Sequence, residues 1–400
     1  MRRSSVVTKS VKKRKNSINF KNLFFWLVIL FIASYIGYFL FTFFSVKTFN
    51  PLLSGSLERY LLSKESDDME KTLIILEEGY DNNRRISDVY LVLSNSQKKI
   101  SIVVYIPGDI HFEALKEDFG SSITVSSLRY AGDFLQEGRG VEYAVWQLSQ
   151  MLGIKVNNYI LVSSEARDTL NNISGNSGGM QESFKEYYSV DDGSQIGESF
   201  FKLHNISSSQ SYMKIFFSPS EFKKLDQNIY SNLSFTKAFG KISGYSGTVK
   251  GTQTYAIDLS YYKYLTESMS EQGGQVTSLN TESFDTTFRN LYAKVIDRDL
   301  EEESVRVEVY NGSGISGSAF QLGRKIENTG CDVVRYGNAP KNIEKTIVYV
   351  PQKELFANSY KVVEEVLSGT FELVEGRPEF MTTGDIVIVL GEDIKLMYRF

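Results

Sequence analysis

Val89-Tyr90-Leu91-Val92-Leu93-Ser94, then Asn95-Ser96-Gln97-Lys98-Lys99, then Ile100-Ser101-Ile102-Val103-Val104-Tyr105-Ile106: this run decides the fold class. Two stretches of β-branched, aliphatic and aromatic residues flank five polar residues, which predicts a β-hairpin with its turn over 95–99. A further strand is expected just upstream over Thr72 to Leu76. Downstream, Val141, Ala144, Val145, Leu148 and Leu152 recur at helical spacing, and Gly153 follows as a stop signal. Tyr159 to Val162 reads as the next strand. Strands and helices mixed in this order predict an α/β domain.

Toward the N-terminus, Leu23 to Val46 holds 24 residues without a charge, ten of them aromatic. As a helix this run spans roughly 36 Å at 1.5 Å per residue, and a bilayer core needs about 30 Å. Eight Lys or Arg and no acid lie in residues 1–22, whereas Lys47 stands alone beyond the run. The positive-inside rule therefore puts residues 1–22 in the cytoplasm and the rest of the chain outside. A cleaved signal peptide fits less well, because the apolar run exceeds the usual ~7–15 residue core and Ser45-Val46-Lys47 is a poor cleavage site. The expectation is an uncleaved single-pass anchor over 23–46, followed by a stalk over 47–70.

The 400 residues are 42% hydrophobic and 23% charged, an ordinary globular balance. A single cysteine, Cys331, excludes a disulfide scaffold and a cysteine zinc site, and two histidines, His111 and His204, argue against histidine-rich metal chemistry. The net charge is -4, with 44 bases against 48 acids, and eight of those bases are in the N-terminal tail. The rest of the chain is therefore acidic, which argues against nucleic acid as a partner.

Between Asn171 and Gly251 the composition shifts to Ser, Asn and Gly, and surface loops or an insertion are expected there. Tyr255 to Ser270 has helical character, and Phe284 to Val295 reads as a helix. The charged run Asp297 to Glu303 reads as a connector, with a domain boundary near 300: an α/β domain over 71–296, a linker over 297–304 and a small domain over 305–400. In that last part, strand Val305–Tyr310, helix Ser316–Thr329, strands Asp332–Tyr336 and Thr346–Val350, helix Leu355–Leu367 and strand Asp385–Leu390 predict a β-α-β-β-α-β unit.

Three constellations could carry chemistry. Gly312-Ser313-Gly314-Ile315-Ser316-Gly317 spells GxGxxG between a strand and a helix. The second strand ends in Tyr336-Gly337-Asn338 with no acid for a ribose, so a tight turn is expected rather than a dinucleotide site. Gly175-Asn176-Ser177-Gly178-Gly179 spells GxSxG, but no apolar strand precedes it to strain the serine outward, and it reads as a loop. Arg84, Arg85, Asp88 and Asp109 form the third, since the hairpin brings 85–88 and 107–109 to a common rim. Arginine forks can hold a diphosphate, and the carboxylates can hold a bridging Mg²⁺.

Arg85-Ile86-Ser87-Asp88, the two strands after it, and Ile106-Pro107-Gly108-Asp109 resemble the R-S-D-T and I-P-R-D blocks of the LytR-CpsA-Psr family. Tyr130-Ala131-Gly132, Val141-Glu142, Met151-Leu152-Gly153-Ile154 and Tyr159-Ile160-Leu161-Val162 are similar to later blocks of that family. Val307 to Gly314, with Tyr349 and Leu390-Gly391, resembles the LytR C-terminal domain. The resemblance implies a phosphotransferase that moves glycopolymers from a polyprenyl diphosphate lipid to the cell wall, with arginines on the diphosphate and Asp88 and Asp109 on Mg²⁺. Gly108 stands where the family has arginine, Arg85 matches only with a one-residue slip, and the later arginine-rich run has no counterpart between 230 and 300. Arg84 and Arg129 are the candidate substitutes. The implied protein is thus an envelope component, impaired in transfer, that binds wall glycopolymer, lipid-linked precursor or an envelope partner; a working transferase is the alternative.

Overall fold

The computed structural model describes residues 20–48, 61–63, 69–80, 83–112, 123–174, 182–207, 216–226, 228–269, 273–296, 300–368 and 370–394. The basic tail, most of the stalk, the Gly175–Gly179 motif and the start of the linker lie outside the described residues. The chain divides into two compact units, Met1–Ser45 and Val46–Phe400.

The first unit carries α1, Phe20–Ser45, 26 residues of mean hydropathy 2.3 over its most apolar window. It begins three residues before the apolar run read from the sequence and is long and apolar enough to cross a membrane.

The second unit is a mixed α/β body. Its larger part has β1 (Glu70–Glu78), β2 (Arg85–Asn95), β3 (Ile100–Pro107), β4 (His111–Phe112), β5 (Ile123–Thr124), α2 (Leu128–Leu135), α3 (Gly140–Leu152), β6 (Asn158–Val162) and α4 (Ser164–Ser174). These are followed by β7 (Tyr188–Ser189), α5 (Lys202–Ser207), α6 (Pro219–Lys223), β8 (Ile229–Ser231), α7 (Phe235–Gly251), β9 (Gln253–Asp258), β10 (Leu265–Met269), β11 (Gln275–Leu279) and α8 (Thr281–Val295). Seven strands join in the order β7-β9-β3-β2-β1-β6-β8. β2 and β3 form the expected antiparallel hairpin, from Asp88 opposite Pro107 to Asn95 opposite Ile100. Leu73, Ile75, Leu91 and Val104 pack one core with residues of α3 and α8, among them Val145, Leu148, Phe284 and Phe288.

Two readings of the sequence are corrected. Tyr255 to Met269 is mainly strand: β9 is an inner strand between β3 and β7, β10 pairs antiparallel with β11, and only a short 3-10 turn at Tyr262–Tyr264 is helical. Tyr255, Ala256 and Ile257 are buried there, and flanking strands on both sides override helical spacing. The stretch read as loops contains the 17-residue helix α7, which buries Phe235, Ala238, Phe239, Ile242, Tyr245 and Val249. Its four glycines, Gly240, Gly244, Gly247 and Gly251, diluted that pattern.

The C-terminal part follows as α9 (Leu300–Glu303), β12 (Arg306–Asn311), α10 (Ser318–Glu327), β13 (Asp332–Asn338), β14 (Ile347–Tyr349), α11 (Ala357–Leu367), β15 (Glu372–Val374) and β16 (Ile386–Leu390). The expected β-α-β-β-α-β pattern holds with one strand added: β15 pairs parallel with β14, completing the order β13-β12-β16-β14-β15. β15 is only three residues long and carries little periodic signal. In the Gly312–Gly317 turn, Asn311 Oδ1 accepts from Ser313 N at 3.0 Å and Ser313 Oγ accepts from Ile315 N at 3.1 Å. Those amides are used internally, as a structural turn requires.

Candidate functional site

The site forms where the hairpin ends. β1 and β2 lose register between Leu76 and Glu77, with Leu76 opposite Asp88 and Glu77 opposite Ile86. Ser87 is thus the extra residue of a β-bulge, and its hydroxyl donates to Leu76 O at 3.2 Å. Past the bulge, the side chains of Glu77 and Glu78 engage two different arginines.

On one side a cleft of about 340 Å³ is lined by Glu78, Arg85, Ser87, Gly108, Asp109 and Lys202, among others. Arg85 Nε donates to Glu78 Oε1 at 2.6 Å, and both side chains are exposed. Asp109 is exposed on the turn after β3 and also borders a second cleft of about 290 Å³ that includes Tyr105, Ser199 and Ser260. Asp88 does not line the first cleft. It is buried beneath it, where its Oδ1 accepts from Lys202 Nζ at 2.8 Å and from Tyr105 OH at 2.9 Å. Asp88 Oδ2 is buried without a hydrogen-bond partner. Burial and the nearby Asp88 charge push the Tyr105 phenol far above its ordinary range, so it remains a donor.

Arg84 and Arg129 belong to a neighbouring charged cluster. Arg84 Nη2 donates to Glu165 Oε1 at 2.6 Å. Arg129, on α2, donates from Nη1 to Glu77 Oε2 at 2.5 Å and from Nη2 to Tyr230 OH at 3.2 Å. Its guanidinium also lies over the Tyr230 ring at 4.7 Å. Burial raises the Glu77 carboxyl above its usual range although Arg129 and Arg84 pull it down. Burial works against the Arg129 charge, yet Glu77 and Tyr230 more than offset it and hold that guanidinium charged.

Of the residues singled out in the sequence, Arg85 and Asp109 share the cleft, Asp88 lies under it, and Arg84 and Arg129 pair elsewhere. Each of the three arginines already holds a glutamate. Gly108 lacks a positive φ, so it is not there for left-handed backbone. A Cβ on it would stand 2.7 Å from Ile86 O and 3.2 Å from Ser87 O, leaving no room for the arginine of the family pattern. Sequence reading missed Lys202, Glu77 and Glu78. Lys202 sits between Phe200, Phe201 and Leu203, all buried, and a lone base within such an apolar run was the available signal.

The Mg²⁺ ion implied by the resemblance fits these residues poorly. Of the two carboxylates expected to ligate it, Asp109 is exposed and lines the cleft, whereas Asp88 is covered by an ammonium and closed from it.

Residues 304–393 match the family model described as LytR cell envelope-related transcriptional attenuator. No curated protein matches the chain. Among solved structures, the LytR-CPS2A-psr family protein YwtF (TagT) with bound octaprenyl pyrophosphate lipid is 17% identical, covering 60% of this chain and 99% of that one, with a TM-score of 0.35. TagT of B. subtilis is 16% identical over 59% of this chain and 97% of that one, TM-score 0.34. Lin1025 of Listeria innocua is 15% identical over 58% and 99%, TM-score 0.38.

Proposed function

We propose that this chain is a membrane-anchored, extracytoplasmic envelope protein whose cleft at Arg85, Asp109 and Lys202 binds phosphate groups of a polyprenyl-diphosphate-linked precursor or a wall glycopolymer, with transfer chemistry impaired. The observation that carries this reading is the cleft itself, which sets a guanidinium and an ammonium beside three hydroxyl-bearing residues, Ser87, Thr124 and Ser126, at the end of the β1–β2–β3 sheet. The C-terminal domain and the sequence blocks shared with the LytR-CpsA-Psr family support the envelope assignment.

The reading of impaired transfer rests on how the arginines are paired. Phosphoryl transfer needs positive charge free to meet the developing negative charge on the transferring group. Here Arg84, Arg85 and Arg129 are each committed to a glutamate, at 2.6, 2.6 and 2.5 Å. Loss of one guanidinium at such a centre removes on the order of 10³ to 10⁵ in rate. The test incubates full-length protein in detergent micelles with a polyprenyl-diphosphate-linked oligosaccharide, following both retention and release of polyprenyl phosphate. Retention without release is expected. Multiple-turnover release would support the working transferase instead, and absence of retention would refute the binding role.

A further inference from the structure

We infer that Lys202 is a built-in counter-cation that seals Asp88 from the cleft and stands where a divalent metal ion would act, so that the cleft takes a phosphate anion without metal. This deepens the phosphate-binding proposal and rests on it.

Two carboxylates at the end of a hairpin would chelate a divalent ion only if both reached it. Asp88 is 1% exposed and absent from the cleft lining, whereas the Lys202 side chain is 46% exposed and lines the cleft. The ammonium therefore lies between the buried carboxylate and the space a ligand would enter. It is 2.8 Å from Asp88 Oδ1, and the same oxygen accepts from Tyr105 OH at 2.9 Å. A divalent ion at ordinary oxygen-ligand distance from Asp88 would have to displace an ammonium already bonded there, and two cations sharing one oxygen repel. Asp88 Oδ2, the one oxygen without a partner, is itself buried and offers a cleft ion no access.

The ammonium has donors to spare for a ligand. Lysine has three N–H bonds, and among the described residues Asp88 is the one hydrogen-bond acceptor Lys202 uses. The others are left for an anion, and lysine is a well-suited point-charge partner for phosphate. Position is fixed by the neighbours: Phe200, Phe201 and Leu203 are buried and hold the start of α5 against the sheet. Asp109, exposed and lining the same cleft, opposes an anion when no metal bridges the two.

Asp109 therefore responds with opposite sign under the two mechanisms. If a metal bridged Asp109 to phosphate, Asp109→Asn would weaken binding. If Lys202 holds the anion directly, Asp109→Asn removes a repulsion and tightens it. Equilibrium dialysis of full-length protein in micelles against labelled inorganic pyrophosphate, in excess EDTA and in Mg²⁺, separates them. EDTA should leave binding intact, and Asp109→Asn should tighten it severalfold. Lys202→Met should lower affinity by about tenfold or more, the scale of one charge-assisted hydrogen bond, and Lys202→Arg should restore most of it. Because Lys202→Met also strands the Asp88 charge, its thermal melt is recorded in parallel, and the wild-type EDTA result stands whether or not that variant folds. Binding that appears only with Mg²⁺, or that weakens in Asp109→Asn, overturns the counter-cation while leaving phosphate binding in place. No binding in either buffer overturns the phosphate-binding proposal and the counter-cation with it.

Discussion

Arg324 of the C-terminal part forks onto Asp285 of α8, with Nε 2.6 Å from Oδ2 and Nη2 2.7 Å from Oδ1, while its third nitrogen donates to the last carbonyls of α3, Gln150 O at 3.1 Å and Met151 O at 3.0 Å. Asn328 adds a bond to Leu152 O at 3.2 Å. One cationic side chain thus caps the negative end of α3 and binds two segments that the sequence reads as separate domains. Gly153 ends α3 with φ 60°, and a Cβ there would stand 2.8 Å from Asn328 Nδ2 and 2.9 Å from Arg324 Cζ. The same glycine that stops the helix also lets the C-terminal part approach it. Lys71 of β1 bonded to Glu365 of α11, and Lys155 Nζ 2.9 Å from Val366 O, extend the contact.

Arg324→Met should therefore destabilise the protein strongly. It leaves the Asp285 carboxylate buried without its fork and the helix-end carbonyls of Gln150 and Met151 short of donors, a loss of about 3–5 kcal/mol for a broken buried pair. The double variant Arg324→Met/Asp285→Leu should recover a large part of it. Urea unfolding of the three proteins measures this, and equal midpoints for wild type and Arg324→Met would remove the pair from any structural role.

Gly108→Arg should not improve diphosphate binding, although it restores the residue type of the family pattern. The first atom it adds meets the Ile86 carbonyl at 2.7 Å, so the turn has to shift. Even Gly108→Ala should cost about 1–3 kcal/mol, the range for overpacking. Comparing melting temperatures of Gly108→Ala and Gly108→Arg tests the contact: both should fall, and an unchanged alanine variant would mean the turn relaxes freely.

Legibility in the sequence depends on sequence separation. The hairpin, α3 with its Gly153 stop, α8 and the C-terminal α/β unit were readable because each is specified by local periodicity and punctuation. β9 was not, because Tyr255 to Ile257 could satisfy either period until β3 and β7 flanked it. Arg85 and Asp109 came together as expected because one hairpin carries both. Asp88 read as a metal ligand because nothing local announces Lys202, 114 residues away, and the glutamates that occupy the arginines were equally silent.

His204 gives the fold an acid limit. Its ring is buried, stacked on Phe184 at 3.9 Å between centroids, with Nε2 2.7 Å from Tyr188 OH and Nδ1 2.8 Å from Ser246 Oγ. Burial, with Lys250 nearby, lowers its pKa from 6.5 to about 3. The unfolded chain therefore takes up a proton below pH 6.5 that the folded chain refuses until about pH 3. Stability from this group is full above pH 6.5 and falls by about 1.4 kcal/mol per pH unit below it. His204→Gln, which cannot titrate, should lose about 2–3 kcal/mol less than wild type between pH 6.5 and pH 4.5. Parallel pH profiles of unfolding free energy for the two proteins would show that the histidine titrates alike in both states.

The topology can be tested with the chain's single cysteine. Cys331 is buried in the C-terminal core, so Cys331→Ala supplies a background without thiols while keeping a small apolar side chain there. Into it, Met381→Cys places a thiol at a side chain that is 89% exposed, and Lys9→Cys places one among the basic residues ahead of α1. Eight bases before the apolar run 23–46 and one immediately after it predict that the N-terminus is retained inside. A membrane-impermeant maleimide added to intact cells should label Met381→Cys and leave Lys9→Cys unlabelled until the membrane is permeabilised. Labelling of the pair in the reverse order would invert the orientation and place the Lys202 cleft in the cytoplasm, away from any wall polymer. Recovery of Met381→Cys from the soluble fraction, without its N-terminal residues, would instead show that α1 is a cleaved leader.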